Sequence, residues 1–475
     1  MNRSLGPCSL CLGVAVLGAC GSGTREQKAT NPPPLASSSA SAATPDSPTV
    51  DRAKELTKLA SEAYVAGYPA LFMERQERTM TTNVRLPLGA FAHTTKLPRA
   101  EDADVLPSLD TLLSSAWLEL HDGAWSLKLP DMADRWFAIE MFDAYGEPIG
   151  VVGKKTTGTR AQQIVISGPG YSGKIPPGAK EIKSTTSTVW LIGRTRVTGE
   201  SDLARVSALL KVWALSPVPP TTAPTEMPPS PLGRPQDLKF AGPEIFDELG
   251  DILKAQPPPM DVIGAMKHHT FDDFAKGGIG AGLTPSKTLP QEQLAALSQG
   301  IKDGAEQVDQ ALEKLATRKN GWDVDTTFGL RGADPLRQAA WVLRGLDWPF
   351  ASEGLVYIAR LDDGDRVLSG AHNYTIHFGA GKAPPTKGGF WTLTMYSART
   401  GALVAGAKRA ELADSTLKRN GDGSIDVLVQ ADAPTKNEST WLPTPKGEAF
   451  MVVLRIYQPD DSASSWEAPP LKRTN

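Results

Sequence analysis

The sequence predicts an α+β protein dominated by β, with two antiparallel β-rich lobes of sandwich or jelly-roll type and a helical layer between them. Three observations predict it. Short β-branched and aromatic runs bounded by Gly, Pro and Asp fill residues 136–197, and alternating runs return at 374–457, a pattern of sheets with one covered face. Between them the period changes: Leu294, Leu297, Ile301, Val308, Leu312 and Leu315 recur at spacings of three, four and seven, which is one face of a helix. The 475 residues are enough for two cores.

The first element is a leader. Arg3 is the only charge before the apolar run Leu10–Leu17, and the run closes on Leu17-Gly18-Ala19-Cys20. A positive start, a short apolar stretch and small residues at the cleavage point make residues 1–19 a signal peptide, with the lipobox of bacterial lipoproteins. The run is far below the ~20 residues that span a bilayer. Cys20 is therefore expected to carry lipid and to make the membrane a partner, each buried methylene contributing about 0.8 kcal/mol. Gly21 rather than Asp follows it, so the expected location is the cell envelope, at the outer membrane. Cys8 and Cys11 leave with the leader, so no thiol remains for a disulfide or a thiolate metal site.

Residues 20–50 are Ser-, Ala-, Thr- and Pro-rich and read as a disordered spacer. The N-terminal domain is placed at 51–216. Leu56, Leu59, Ala63 and Ala66 predict a helix that Gly67 and Pro69 stop. Strands follow at Trp136–Asp143, Gln162–Ser167 and Thr188–Val197, then a helix on Leu203, Val206, Leu210 and Trp213. The Pro-rich stretch 217–241 reads as a linker, and 242–345 as the helical segment. In that segment Asn320-Gly321 offers a left-handed helix stop, and Asp334-Pro335 an N-cap with proline at the first helical position. The C-terminal domain, 346–475, alternates over Tyr374–Phe378, Trp391–Tyr396, Ser424–Gln430 and Phe450–Tyr457.

Composition excludes little. The net charge is −3, with no face obviously basic in sequence, which argues against a nucleic-acid partner. Gly168–Lys174 imitates a phosphate-binding loop, but Ile175 stands where Ser or Thr must hold magnesium, and Pro176-Pro177 oppose the helix that must follow. Gly170-Tyr171-Ser172-Gly173 is one residue short of a nucleophile elbow. The acidic runs at Asp362–Asp365 and Asp422 lack the ligand spacing of a calcium loop and read as turns. No metal or cofactor is implied.

A resemblance then covers most of the chain. Ala63-Tyr64, Gly67-Tyr68-Pro69, Ser108–Leu112, Pro130-Asp131, Asp134–Trp136, Gly168–Gly170, Thr188–Trp190 and Gly193-Arg194 resemble the bacterial domain of unknown function 1254. Asn373-Tyr374, His377-Phe378, Pro384-Pro385, Phe390-Trp391, Trp441–Pro443, Leu454-Arg455, Tyr457 and Pro459 resemble its companion, domain of unknown function 1214. The resemblance implies a two-lobed, β-rich envelope protein and no particular activity. Ser108, Leu113 and Thr440 stand where the family usually has Asn, Tyr and Asn, so a site using those groups is altered here.

The best-matching strands nominate His377, Trp391, Trp441, Arg455 and Tyr457. A cationic fork beside aromatic planes suits a small polar or anionic ligand, and Arg455, Tyr457 and His377 are expected to converge in one pocket at the lobe interface. The alternative is an arginine packed in the core under tryptophans. A second class of function is a metal-independent hydrolase pairing His377 with Asp110, and a third is a structural envelope lipoprotein.

Overall fold

The computed structural model describes residues 48–102, 104–219, 234–404 and 409–475; the leader, Cys20 and most of the Pro-rich stretch lie outside them. The chain enters on α1 (Pro48–Arg78). The expected stop at Gly67-Pro69 does not occur, and Pro69 lies inside the helix. An interior proline removes one hydrogen bond and costs about 3 kcal/mol. Burial on both sides of it offsets that: Ala63, Tyr64, Leu71, Phe72 and Met73 are at most 2 % exposed.

The N-terminal lobe is a sandwich. Its strands are β1 (Ala92–His93), β2 (Thr111–Glu119), β3 (Ala124–Leu129), β4 (Phe137–Asp143), β5 (Pro148–Gly153), β6 (Gln162–Ser167), β7 (Lys180–Lys183), β8 (Thr188–Arg196) and β9 (Ala214–Pro217), with α2 (Leu203–Leu210) before the last. One sheet runs β1-β2-β8-β4-β5, the other β7-β6-β3-β9. Leu112, Leu118, Leu127, Ile139, Ile164 and Leu191 fill the space between them. The glycine-rich run after β6 leads to β7, which pairs parallel with β6, so no phosphate-binding helix follows it.

Next come α3 (Glu244–Ala255), α4 (Met260–Ala265), α5 (Phe271–Lys276), α6 (Pro285–Thr288), α7 (Gln291–Glu313) and α8 (Pro335–Arg344). Asp334 caps α8 as expected, its side chain accepting from the Leu336 N–H. The helical layer includes α1, because α7 packs along it. At Gly300 a Cβ would lie 2.5 Å from the Thr57 carbonyl oxygen, so only glycine permits that approach. Trp117, Phe142, Trp190 and Ile192 join this helical core from the N-terminal sheet, whose outer face the helices therefore cover.

The segment 242–345 is not all helix. Asn320 and Gly321 have φ of 53° and 80°, but they turn a hairpin rather than end a helix. It joins β10 (Thr317–Lys319) to β11 (Trp322–Val324), the left-handed pair that suits a two-residue turn.

That hairpin edges the C-terminal lobe. The remaining strands are β12 (Gly354–Ala359), β13 (Tyr374–Phe378), β14 (Thr386–Ser397), β15 (Glu411–Ala413), β16 (Ile425–Gln430), β17 (Trp441–Pro443), β18 (Phe450–Pro459) and β19 (Leu471–Arg473). One sheet runs β10-β11-β12-β18-β14-β15 and packs on β17-β16-β13-β19. Pairing is antiparallel, as expected, except at the short parallel pairs β16–β17 and β6–β7. The acidic runs are turns: Asp362 accepts from the Gly364 and Arg366 N–H groups at 2.8 and 3.1 Å. Among the described residues no helix is long and apolar enough to cross a membrane.

Candidate functional site

The β18 register places Val452, Leu454 and Ile456 in the C-terminal core and turns Val453, Arg455 and Tyr457 toward the N-terminal lobe. Cross-strand neighbours share that face, so Thr392 stands beside Arg455 and Phe390 beside Tyr457. Into this face comes the segment before β2. Asp110 accepts from the Tyr457 hydroxyl at 2.8 Å, from Thr392 Oγ1 at 2.6 Å, and from Ser108. Arg455 donates to the Tyr396 hydroxyl at 2.8 Å and to the Leu106 carbonyl at 2.6 Å. Tyr396 in turn donates to the Pro107 carbonyl. Glu411 lies nearby, accepting from Thr394 Oγ1 at 3.1 Å. Burial, then the charge of Asp110, pushes its carboxyl up to about 8, against the pull of Arg455.

This junction is closed. Asp110 is 3 % exposed, Arg455 6 % and Tyr457 2 %. The Tyr457 ring stacks on Phe390 at 4.4 Å and lies 4.7 Å from Trp136. No carboxylate among the described residues pairs with Arg455, yet its donors are already engaged across the lobes. The network joins the two lobes and is not an open pocket.

Three of the expected site residues, Asp110, Arg455 and Tyr457, therefore come together, and three do not. His377 lies on the outer face of β13, half-exposed, with Nδ1 2.6 Å from Asp426 Oδ1. The whole C-terminal core separates it from Asp110, two sheets packing about 10 Å apart, so the acid–base pair does not form. Trp391 points into that core, 5.3 Å from Phe378. Trp441 sits on β17 and donates to the Gln430 carbonyl at 2.8 Å. A serine–histidine contact absent from the sequence reading, His93 Nδ1 to Ser114 Oγ at 2.7 Å, offers no nucleophile to solvent, because Ser114 is fully buried. Burial pushes the His93 imidazole down to about 4. Among the described residues no group of three or more side chains is placed to hold a metal ion.

Concave sites lie elsewhere, the larger of two a groove of about 750 Å³ between α1 and α7 lined by Thr57, Ser61, Glu62, Ala296, Gln299 and Gln307. A cavity of about 20 Å³ is lined by Ala66 and Pro69 of α1, Tyr145 and Glu147 of the β4–β5 turn, Val262, Met266, and Ala333, Pro335 and Gln338 around the start of α8. Glu147 accepts from the Gly332 N–H at 2.8 Å. Burial raises its carboxyl to about 7, and that of neighbouring Asp143 to about 6. Gly146, at φ 69°, lets the turn approach α8; a Cβ there would lie 3.3 Å from Gln338 Nε2. That nitrogen donates to the Gly146 carbonyl at 2.6 Å, while Gln338 Oε1 is buried with no donor.

Comparison with known proteins agrees with this architecture. The family described as protein of unknown function DUF1254 matches residues 88–217, and that described as DUF1214 matches residues 353–461. The crystal structure of the VPA0106 protein from Vibrio parahaemolyticus is similar in fold: TM-score 0.68, 19 % identity, 88 % of this chain and 100 % of that chain covered. An uncharacterised protein from Burkholderia cenocepacia aligns with a TM-score of 0.42 and 13 % identity over 91 % of this chain and 90 % of its own. No curated protein matches the chain. The chain thus carries a region that matches DUF1254 followed by one that matches DUF1214.

Proposed function

We propose that this protein is a lipid-anchored module of the bacterial cell envelope that binds a small ligand where α1, the β4–β5 turn and α8 meet. One observation carries the binding reading: Gln338, one of the residues lining the cavity there, has in Oε1 a buried acceptor with no donor. An unsatisfied buried polar group costs about 1–3 kcal/mol, which a bound donor relieves. The cavity has apolar walls and few polar groups, and its volume of about 20 Å³ must widen to admit anything much larger than a water. The hydrolase reading lacks this support, since its His377–Asp110 pair is split across the C-terminal lobe. The envelope reading rests on the leader and Cys20.

Each half has its own test. Labelled palmitate should enter the full-length protein and not Cys20→Ser; label in the variant would remove the anchor. For binding, protein purified from the expressing bacterium is denatured and its released small molecules are identified by mass spectrometry. A molecule carried by the wild type should be missing from Ala333→Trp, which fills the cavity. Identical profiles would remove the cavity as a binding site.

A further inference from the structure

The last turn of α1 buries an acid where no donor meets it. Glu77 is fully buried, and neither of its carboxyl oxygens receives an N–H or O–H among the described residues. It faces the C-terminal end of β2. Trp117 of that strand donates from Nε1 to Sδ of Met80, three residues beyond Glu77, at 3.2 Å. The side chain in hydrogen-bonding reach of the Glu77 carboxyl is Glu119, two residues beyond Trp117, and it too is buried. Two carboxylates in contact and out of water repel each other and lack solvation, so both cannot be ionised.

Their neighbours decide which of the two holds the proton. Oε1 of Glu119 accepts from the Thr188 hydroxyl, which in turn accepts from Gln256 Nε2 at 2.6 Å. Oε2 lies 3.6 Å from Nε2 of His121, an imidazole open to solvent. Glu119 thus has the partners of a carboxylate, and Glu77 has none. The charged groups around Glu77 are Glu74 and Arg78 on its own helix, Glu119 on β2 and, beside Glu119, His121 in the turn that follows. Arg78 favours the ionised form, but its Nε is bound to Glu74 at 2.5 Å. Burial, with the charges of Glu119 and Glu74, outweighs it and raises the Glu77 carboxyl well above its ordinary 4.5.

We propose that Glu77 and Glu119 share one proton, Glu77 donating it to Glu119, and that this bond is a pH-operated latch between the helical layer and the N-terminal sandwich. A hydrogen bond from a carboxylic acid to a carboxylate is among the strong ones. Opening the contact puts both carboxyls in water, where they ionise at ordinary values, so opening hands the shared proton to solvent. It is then favoured about tenfold for each pH unit, from about pH 5 up to the pH at which the closed pair loses its proton. The backbone suits a local opening. α1 passes directly into a π-helical turn, Thr79–Asn83, a geometry that recurs at functional sites. The segment that loosens is the end of α1 with that turn, which carries Met80 away from Trp117.

The test is hydrogen exchange of the folded, full chain, read by mass spectrometry on peptides spanning residues 74–86 from pH 6 to pH 8, with each rate divided by that of unstructured peptide. Opening in the wild type should rise about a hundredfold over those two units. Glu77→Gln keeps the shape and offers Glu119 an N–H that does not titrate, so its opening should change by less than about threefold. The infrared difference between wild type and Glu77→Gln at pH 7 should show the C=O stretch of a protonated carboxyl. Carboxylate bands in its place, wild-type opening that does not rise with pH, or a rise kept in full by Glu77→Gln would each overturn the proposal. Should Glu77→Gln not fold, Glu77→Met, which removes the buried carboxyl at similar size, carries the same expectation of a lost pH dependence.

Discussion

Arg194→Met should destabilise the protein by about 3–5 kcal/mol at neutral pH, read from its denaturation midpoint, because it leaves a buried carboxylate without its cation. Glu140 on β4 is fully buried and paired with Arg194 on the neighbouring β8. The Phe350 N–H donates to Glu140 at 2.7 Å, and Arg194 also reaches the Asp347 carbonyl. The pair thus fastens the stretch after α8 to the N-terminal sheet at the point where the chain passes between lobes. Burial raises the Glu140 carboxyl while Arg194 and the Phe350 N–H hold it down. Without Arg194 it rises further. A raised folded-state value keeps a proton that the unfolded chain releases, so the variant should lose stability as pH rises and recover it toward pH 5. Glu140→Met with Arg194→Met should recover most of the loss, since replacing both partners of a buried pair by apolar groups is often neutral. A double variant as unstable as the single one would show that the pair's hydrogen bonds to the 347–350 segment, not the unpaired charge, set the loss.

The same arrangement explains what could be read from the sequence. Alternation on β18 and the cap at Asp334 are local, and local chemistry decided them. Pro69 misled because the rule that proline stops a helix is also local, whereas α7 lies on α1 through contacts distant in sequence. The junction was half legible. Arg455 and Tyr457 share a face by strand period, but Ser108 and Tyr457 are 349 positions apart, and no spacing rule connects them. Thr392, Thr394 and Tyr396 look like the wet face of an alternating strand, yet they are at most 1 % exposed, because the other lobe covers that face. One signal was available. A single charge in an apolar or aromatic run, Glu140 between Phe137 and Phe142 of β4 or Arg455 in β18, marks a sheet buried on both sides whose charge needs a partner. His377 lacked that signal: it is the polar position of a strand whose inward residues are Tyr374, Ile376 and Phe378. Glu147, in a Gly-containing turn, reads as a solvated loop residue until α8 is seen to cover it.

Asp110→Ala should open the junction between lobes at a loss of about 3–5 kcal/mol, since it removes the acceptor shared by Ser108, Thr392 and Tyr457, and each buried unsatisfied group costs about 1–3 kcal/mol. Ser108 softens the loss, lying 2.9 Å from Thr111 Oγ1 and 3.3 Å from the Tyr457 hydroxyl, so the full sum is not expected. Asp110→Asn keeps an acceptor for the hydroxyls and should lose about 1–2 kcal/mol. The two variants share a pH signature. Glu411 holds its proton in the folded protein up to about 8, against an ordinary 4.5. Below 4.5 both states are protonated and stability is at its fullest. As pH rises from there to about 8, only the unfolded chain releases the proton, and stability falls; above that it levels. Glu147 and Glu353, both raised to about 7, act in the same direction and remain unchanged in the variants. The Asp110 charge is one cause of the Glu411 shift, so removing it lowers the folded-state value and ends the fall sooner. The penalty of either variant should therefore be about 1–2 kcal/mol smaller at pH 8.5 than at pH 5.5. A penalty independent of pH would mean that Asp110 joins the lobes through its three hydroxyl partners alone, with no charge coupling to Glu411.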